Sequence, residues 1–166
     1  IICHMRLVIY LKTKLKIISI DNYSTGIKKN HIVSNRVKYI RGNTTNIKIL
    51  LKAYKKKIIS SIEHESIKNQ KNTILIDVNK EGSIDLLMLE NVLKSINKKK
   101  EIIVSVMFAN NETGIIQPID KIIKITKKYQ IPFHTDAVQA LGRININFSK
   151  LGIDMMTISS HKIGGP

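Results

Sequence analysis

An α/β domain with a mainly parallel sheet is predicted by three features of the sequence. From Lys57 onward, apolar stretches of strand length alternate with segments of helical period about a dozen residues long. Residues 101–108 (EIIVSVMF) are almost continuously apolar, as expected of a strand covered on both faces. Three polar groups, at Asn111, Asp136 and His161-Lys162, each follow directly on a predicted strand. In sheets of this kind ligands bind beyond the carboxyl ends of the strands, so the three groups should meet at one edge.

The elements follow in order. Residues 1–56 show apolar stretches broken by Lys and Asn, without a persistent period. Residues 57–62 and 73–78 (TILIDV) read as strands, and Glu81-Gly82-Ser83 as a turn. The carboxylate of Asp85 can cap a helix whose apolar face is Leu86, Leu89, Val92, Leu93 and Ile96. Asn97 and the Lys triplet at 98–100 end it and complement its dipole. After the strand at 101–108 comes a polar loop, Asn110-Asn111-Glu112-Thr113-Gly114. Pro118 suits the first turn of a helix lined by Ile119, Ile122, Ile123 and Thr126, with Lys127 and Lys128 at its end. Residues 131–135 form a strand ending at Asp136, and residues 153–159 a last strand leading into His161-Lys162. We divide the chain into a divergent segment, 1–40, and a partial domain, 41–166.

Composition narrows the function classes. With 166 residues, 43% of them hydrophobic, the chain can bury a sizeable core. It has no apolar run long enough to span a membrane, and no cleavage site follows the apolar start, so neither a membrane anchor nor a signal peptide is expected. The opening Ile, with an internal Met5, suggests that the true start lies elsewhere. Cys3 is the single cysteine, which excludes a disulfide within the chain and argues against a cysteine-based zinc site; no metal is expected, and a reducing, cytoplasmic compartment fits. A net charge of +16 would ordinarily point to nucleic acid. Here Lys far outnumbers Arg, and aromatics make up only 5% and are not interleaved with the Lys runs. We read the charge as solvated lysine on loops and helix faces, not as a nucleic-acid surface.

Three residues have the chemistry of a cofactor site, each with a plainer reading beside it. Lys162 ends an apolar strand, where partial desolvation lowers an amine's pKa and makes it a nucleophile. It can equally be one more surface lysine. Hydroxyls, a ring donor and small residues surround it in Ser159-Ser160-His161-Lys162-Ile163-Gly164-Gly165-Pro166, as a phosphate-bearing cofactor requires. Asp136 closes an apolar strand, where a carboxylate needs a partner. A protonated pyridine nitrogen is one partner, and a helix over 137–141 capped by Asp136 is the alternative; Gln139 can face the same side. His64 follows a strand, either as a solvated or core histidine or as a flat ring that stacks on a cofactor and moves protons near neutral pH.

Taken together, Asn110-Asn111-Glu112-Thr113-Gly114, then Phe133-His134-Thr135-Asp136-Ala137-Val138-Gln139-Ala140-Leu141-Gly142, then Ser159 to Pro166, resemble the successive signatures of class V, fold-type I pyridoxal-phosphate enzymes. Order and spacing are most similar to the cysteine desulfurases of the nitrogenase and iron–sulfur-cluster type. The likeness covers 57–166 well and 40–56 loosely. It implies an aspartate-aminotransferase-like large domain and pyridoxal 5'-phosphate as cofactor. It also implies that Lys162 is the Schiff-base lysine, that Asp136 pairs with the pyridine nitrogen, and that Gln139 and Asn111 lie about the ring oxygen. Ser159, Ser160 and His161 resemble the phosphate-binding segment, and His64 the stacking acid/base histidine. Arg41-Gly42-Asn43-Thr44-Thr45-Asn46 resembles a degraded form of the family's other phosphate loop, placing Asn43 and Thr44 at the cofactor.

The departures are also informative. Ser160 stands where the family has Gly, Gly164 where it has an aromatic, and the region before Gly42 is shortened. The family continues beyond the Schiff-base motif with a small domain, a substrate-binding arginine and a catalytic cysteine on a mobile loop. None of these is in the sequence, and Cys3 is at the wrong end to be that cysteine. The expectation is therefore an amino-terminal fragment, poorly soluble or partly disordered alone. The complete protein is expected to be a homodimer that converts L-cysteine to L-alanine and hands sulfur to an iron–sulfur scaffold or another acceptor. Rival readings are another class V enzyme, such as a selenocysteine lyase or an aminotransferase, and a non-catalytic remnant.

Overall fold

In a computed structural model of the chain, the described residues are 7–11, 16–21, 34–41, 54–97 and 101–163. They form one eight-stranded sheet in the order β3-β2-β1-β8-β7-β6-β4-β5. The strands are β1 (Leu7–Leu11), β2 (Lys16–Asp21), β3 (Val37–Arg41), β4 (Lys56–Ser60), β5 (Thr73–Ile76), β6 (Ile102–Ser105), β7 (Phe133–Asp136) and β8 (Met155–Ser159). The five strands from β5 through β4, β6 and β7 to β8 are all parallel, as the alternation of elements predicted. Their registers include Ile59 opposite Ser105, Ser105 opposite His134, and Asp136 opposite Thr157. β1 runs antiparallel to both β8 and β2, and β2 pairs in parallel with β3.

The core lies on the parallel part. Every residue of β6 and β8 is buried, and so are four of the five in β4. Full burial on both faces explains why these strands read as unbroken apolar runs. Helix α1 is a single turn, Glu65–Lys68, directly after β4. Helix α2 (Leu86–Ser95) buries Leu89 and Leu93, with Leu86, Val92 and Ile96 packed at the margin. Its start follows the sequence signal: Asp85 Oδ1 accepts from Met88 N at 2.9 Å. Helix α3 (Ile119–Lys128) buries Ile119, Ile122, Ile123 and Thr126, the face that its period predicted, with Pro118 as the N-cap. A last short helix, α4 (Phe148–Leu151), leads into β8.

Buried polar groups tie these layers together. The ring of His134 lies between Ser105 Oγ, 2.8 Å from Nδ1, and Thr157 Oγ1, 2.8 Å from Nε2, so it bridges β6, β7 and β8. Gln117 Oε1 accepts from Ile84 N and its Nε2 donates to Gly82 O, both at 2.9 Å, joining the entrances of α2 and α3.

Two local outcomes were left open by the sequence. Residues 138–140 form a turn, and no helix runs over 137–141. Asp136 Oδ1 accepts from Val138 N at 2.9 Å, two residues on, and that contact closes a tight turn instead of opening a helix. The stretch before Lys57, without visible period, nevertheless supplies three strands of the sheet.

Candidate functional site

The carboxyl ends of β4, β6, β7 and β8 are neighbours at one edge, because those strands are adjacent and parallel. Each end releases a polar segment. β4 runs into Ser61 and then Glu63 and His64; β6 runs through Met107 to Asn110 and Asn111; β7 ends on Asp136; β8 ends on Ser159 and continues as a 3-10 turn, Ser160–Ile163, that carries Lys162. The strand order also reverses here. The chain goes from β4 outward to β5 and returns to β6 on the other side of β4. Such a switch point leaves a crevice outside the strand ends, the usual ligand position in open α/β sheets. A cleft of about 390 Å³ opens there, lined by Ser61, Glu63, His64, Asn110, Asn111 and their neighbours. Another, of about 400 Å³, lies among Lys55, Asn72 and Glu101 near the amino ends of the strands, away from every predicted site residue.

Backbone contacts hold the edge in register. Val106 N donates to His134 O at 3.1 Å and Phe108 N to Asp136 O at 2.8 Å, extending the β6–β7 pairing to the last residue of β7. Ala137 N donates to Thr157 O at 2.9 Å, fixing the exit of β7 against β8. Asn110 is buried and anchors its loop. Its Oδ1 accepts from Glu112 N and Thr113 N at 2.9 Å, and its Nδ2 donates to Ile62 O at 3.2 Å. The loop after β6 is thereby pinned to the turn that bears His64.

The predicted residues fall as follows. His64 and Asn111 are exposed on the cleft. Asp136 is half-buried; desolvation pushes its pKa up, while the Val138 N–H and the nearby His64 pull it down. His64 and Asp136 are thus electrostatically coupled across β6. Gln139 is half-buried on the turn after Asp136. Ser159 is buried at the end of β8. Lys162 is exposed, so the desolvation expected from its apolar strand is not seen among the described residues. The side chains of Ser160 and His161, and the whole of Asn43 and Thr44, lie outside the described residues.

Sequence reasoning passed over Glu63. Its carboxyl is buried, and Oε1 accepts from Met107 N. Among the described residues its Oε2 is buried without a hydrogen-bond partner. Burial pushes its pKa well above the usual carboxylate range, Met107 N–H opposes this, and the charge of Asp136 adds to the rise. The only cue in the sequence is its place beside His64, where an acid in a turn normally reads as solvated.

The donor set suits a phosphorylated pyridine aldehyde: a carboxylate at the centre of the edge, an imidazole beside it, an amine on the next turn and a buried hydroxyl at the end of β8. Among the described residues no group of three His, Cys, Asp or Glu could hold a metal ion. No helix among them is long and apolar enough to cross a membrane.

Comparison with known proteins gives a consistent result. The family described as Aminotransferase class-V matches residues 29–166. A cysteine desulfurase IscS of Ehrlichia chaffeensis is 52% identical over 91 residues, 55% of this chain and 21% of that protein. A NifS-like protein from Rickettsia africae matches in structure with a TM-score of 0.66 and 44% identity, over 74% of this chain and 35% of that one. A structure described as SspA in complex with cysteine matches with a TM-score of 0.61 and 28% identity, over 74% of this chain and 38% of that one. The matched part therefore spans between about a fifth and two fifths of these relatives' lengths.

Proposed function

The chain belongs to the class-V aminotransferase family, and from that premise we propose that it forms part of a pyridoxal-phosphate-dependent cysteine desulfurase. What supports the reading is that His64, Asn111, Asp136 and the Ser159–Lys162 segment each lie at or just beyond the carboxyl end of one of four adjacent parallel strands. The names of the relatives and the cysteine complex of one of them support L-cysteine as substrate.

When bound, pyridoxal 5'-phosphate supplies an electron sink for charge released at the substrate's α-carbon. Lys162 would hold it through Nζ, which, once freed, is an amine able to take and return a proton. The Asp136 carboxylate would be the counter-charge of a protonated ring nitrogen. A cation there favours the ionised carboxyl and opposes the burial that disfavours it. His64 is exposed on the cleft, where its ring can stack and exchange a proton. Asn111 and Gln139 would orient the ring oxygen, and Ser159, Ser160, His161, Asn43 and Thr44 would hold the phosphate. A thiolate would attack the substrate sulfur, the Cβ–S bond would break, and the carbon so released would take a proton, leaving L-alanine and a persulfide. That thiolate is not among the described residues. The whole protein is proposed to be a cytoplasmic homodimer that delivers sulfur to an iron–sulfur scaffold or another acceptor protein.

The test uses the full-length protein. After loading with pyridoxal 5'-phosphate and reduction with borohydride, the label should sit on the Lys162 peptide, and L-cysteine should yield alanine and persulfide sulfur. Lys162→Ala should lose both. A label on a different lysine, or turnover of other amino acids but not L-cysteine, would overturn the reading.

A further inference from the structure

Glu63 is a buried acid that the reaction outlined above does not use. It sits in the turn between β4 and α1, immediately before His64, and only 4% of its surface is exposed. Oε1 receives the N–H of Met107, a group that leaves β6 toward Asn110. From the other direction, Asn110 Nδ2 donates to Ile62 O, one residue before Glu63. The two contacts cross between the same two segments and lock them together. Oε2 has no partner among the described residues. A charged carboxylate with one oxygen buried and unsatisfied is far costlier than a neutral carboxyl in the same place. The ionisable group that acts on it from a packed element is Asp136, at the end of β7. His64, the next residue in the chain, acts in turn on Asp136. Like charges that act on one another oppose each other's ionisation.

We propose that Glu63 is a positioning residue: as an uncharged carboxyl it fastens the turn bearing His64 to the segment leaving β6, and adds no negative charge beside Asp136. Its bearing on the cofactor rests on the reading given under Proposed function. Its charge state does not.

The two parts are separated by two measurements on the full-length protein and its Glu63→Gln and Glu63→Ala variants. The first is urea unfolding of the cofactor-free protein against pH. A carboxyl neutral in the fold but ionised when unfolded makes the wild type lose stability relative to Glu63→Gln as pH rises. The ratio of their folding constants should fall about tenfold per pH unit above about pH 4.3. A ratio that stays flat means Glu63 is charged in the fold and overturns the proposal. The second measurement is the affinity for pyridoxal 5'-phosphate, read by the absorbance of the bound cofactor, with borohydride labelling of Lys162 as control. Glu63→Ala should weaken binding about tenfold or more, and Glu63→Gln, which keeps the acceptor for Met107 N–H, should recover most of it. Equal affinity in all three proteins, with Lys162 labelled in the wild type, overturns the positioning role while leaving the cofactor reading intact. Absence of labelling in the wild type overturns the cofactor reading instead, and the unfolding ratio still decides the charge of Glu63.

Discussion

Strands β6 and β8 bury every residue and β4 all but its first, whereas β3, at one edge of the same sheet, has only half-buried and exposed side chains. β5, at the opposite edge, is also only partly covered. The two kinds of strand obey different rules. A central parallel strand is apolar on both faces and reads from the sequence as one unbroken run. An edge strand is held by backbone pairing on one side and needs no such run. All the described candidate residues leave the sheet from the buried kind, where a rigid support can hold a polar group to a fixed place.

The contrast is broken most directly by truncating one side chain in each part. Phe133 is the largest fully buried side chain among the described residues and stands at the start of β7. Phe133→Ala should cost about 3–5 kcal/mol, through lost burial and the cavity left behind. Val37→Ala in the half-buried edge strand β3 should cost about 1 kcal/mol. Urea unfolding of both variants checks this. Equal losses would mean that the β1–β3 flank belongs to the same cooperative core as the parallel strands.

The same difference governs what the sequence reveals. The five parallel strands, the Asp85 cap and the buried face of α3 could be read because each depends on local pattern. The strands β1 and β2 could not. LVIYL does not alternate, and its place is decided by a partner far along the chain, with Leu7 opposite Ser159. At the site, Asp136 and Lys162 were visible because each closes an apolar run. Glu63 was not, since its burial depends on Met107 N–H arriving from another strand. His134 was hidden for a similar reason: its partners, Ser105 and Thr157, lie on the two flanking strands.

His134 sharpens the comparison through pH. Burial lowers its pKa from the ordinary 6.5 to about 4. The folded state therefore refuses a proton that the unfolded state accepts. Its contribution is complete above about pH 6.5 and is lost as pH falls toward 4, about 3 kcal/mol in all. Glu63 and Asp136 act with the opposite sign. Their raised pKa values give stability that is full below the ordinary carboxylate range and lost as pH rises through their folded values. In His134→Gln the acid-side loss between pH 6.5 and 4 should shrink while the carboxyl-driven trend persists. An unchanged acid limb would assign the loss to other groups.

A more local effect concerns the turn beside the Lys162 segment. Gly142 has φ +82°, a left-handed conformation that L side chains rarely adopt, and a Cβ added there would stand 3.0 Å from Ile163 Cγ2. Gly142→Ala should cost about 1–2 kcal/mol of backbone strain. It should also press on the turn that carries Lys162, since Ile163 is the adjoining residue. The two consequences separate in a double variant. Gly142→Ala with Ile163→Ala keeps the strain but removes the contact, so stability stays low while the rate of borohydride-trapped labelling at Lys162 returns toward that of the wild type. If labelling is already normal in Gly142→Ala alone, the exposed end of Ile163 simply moves aside, and the turn after β8 is held by the strand rather than by its neighbour.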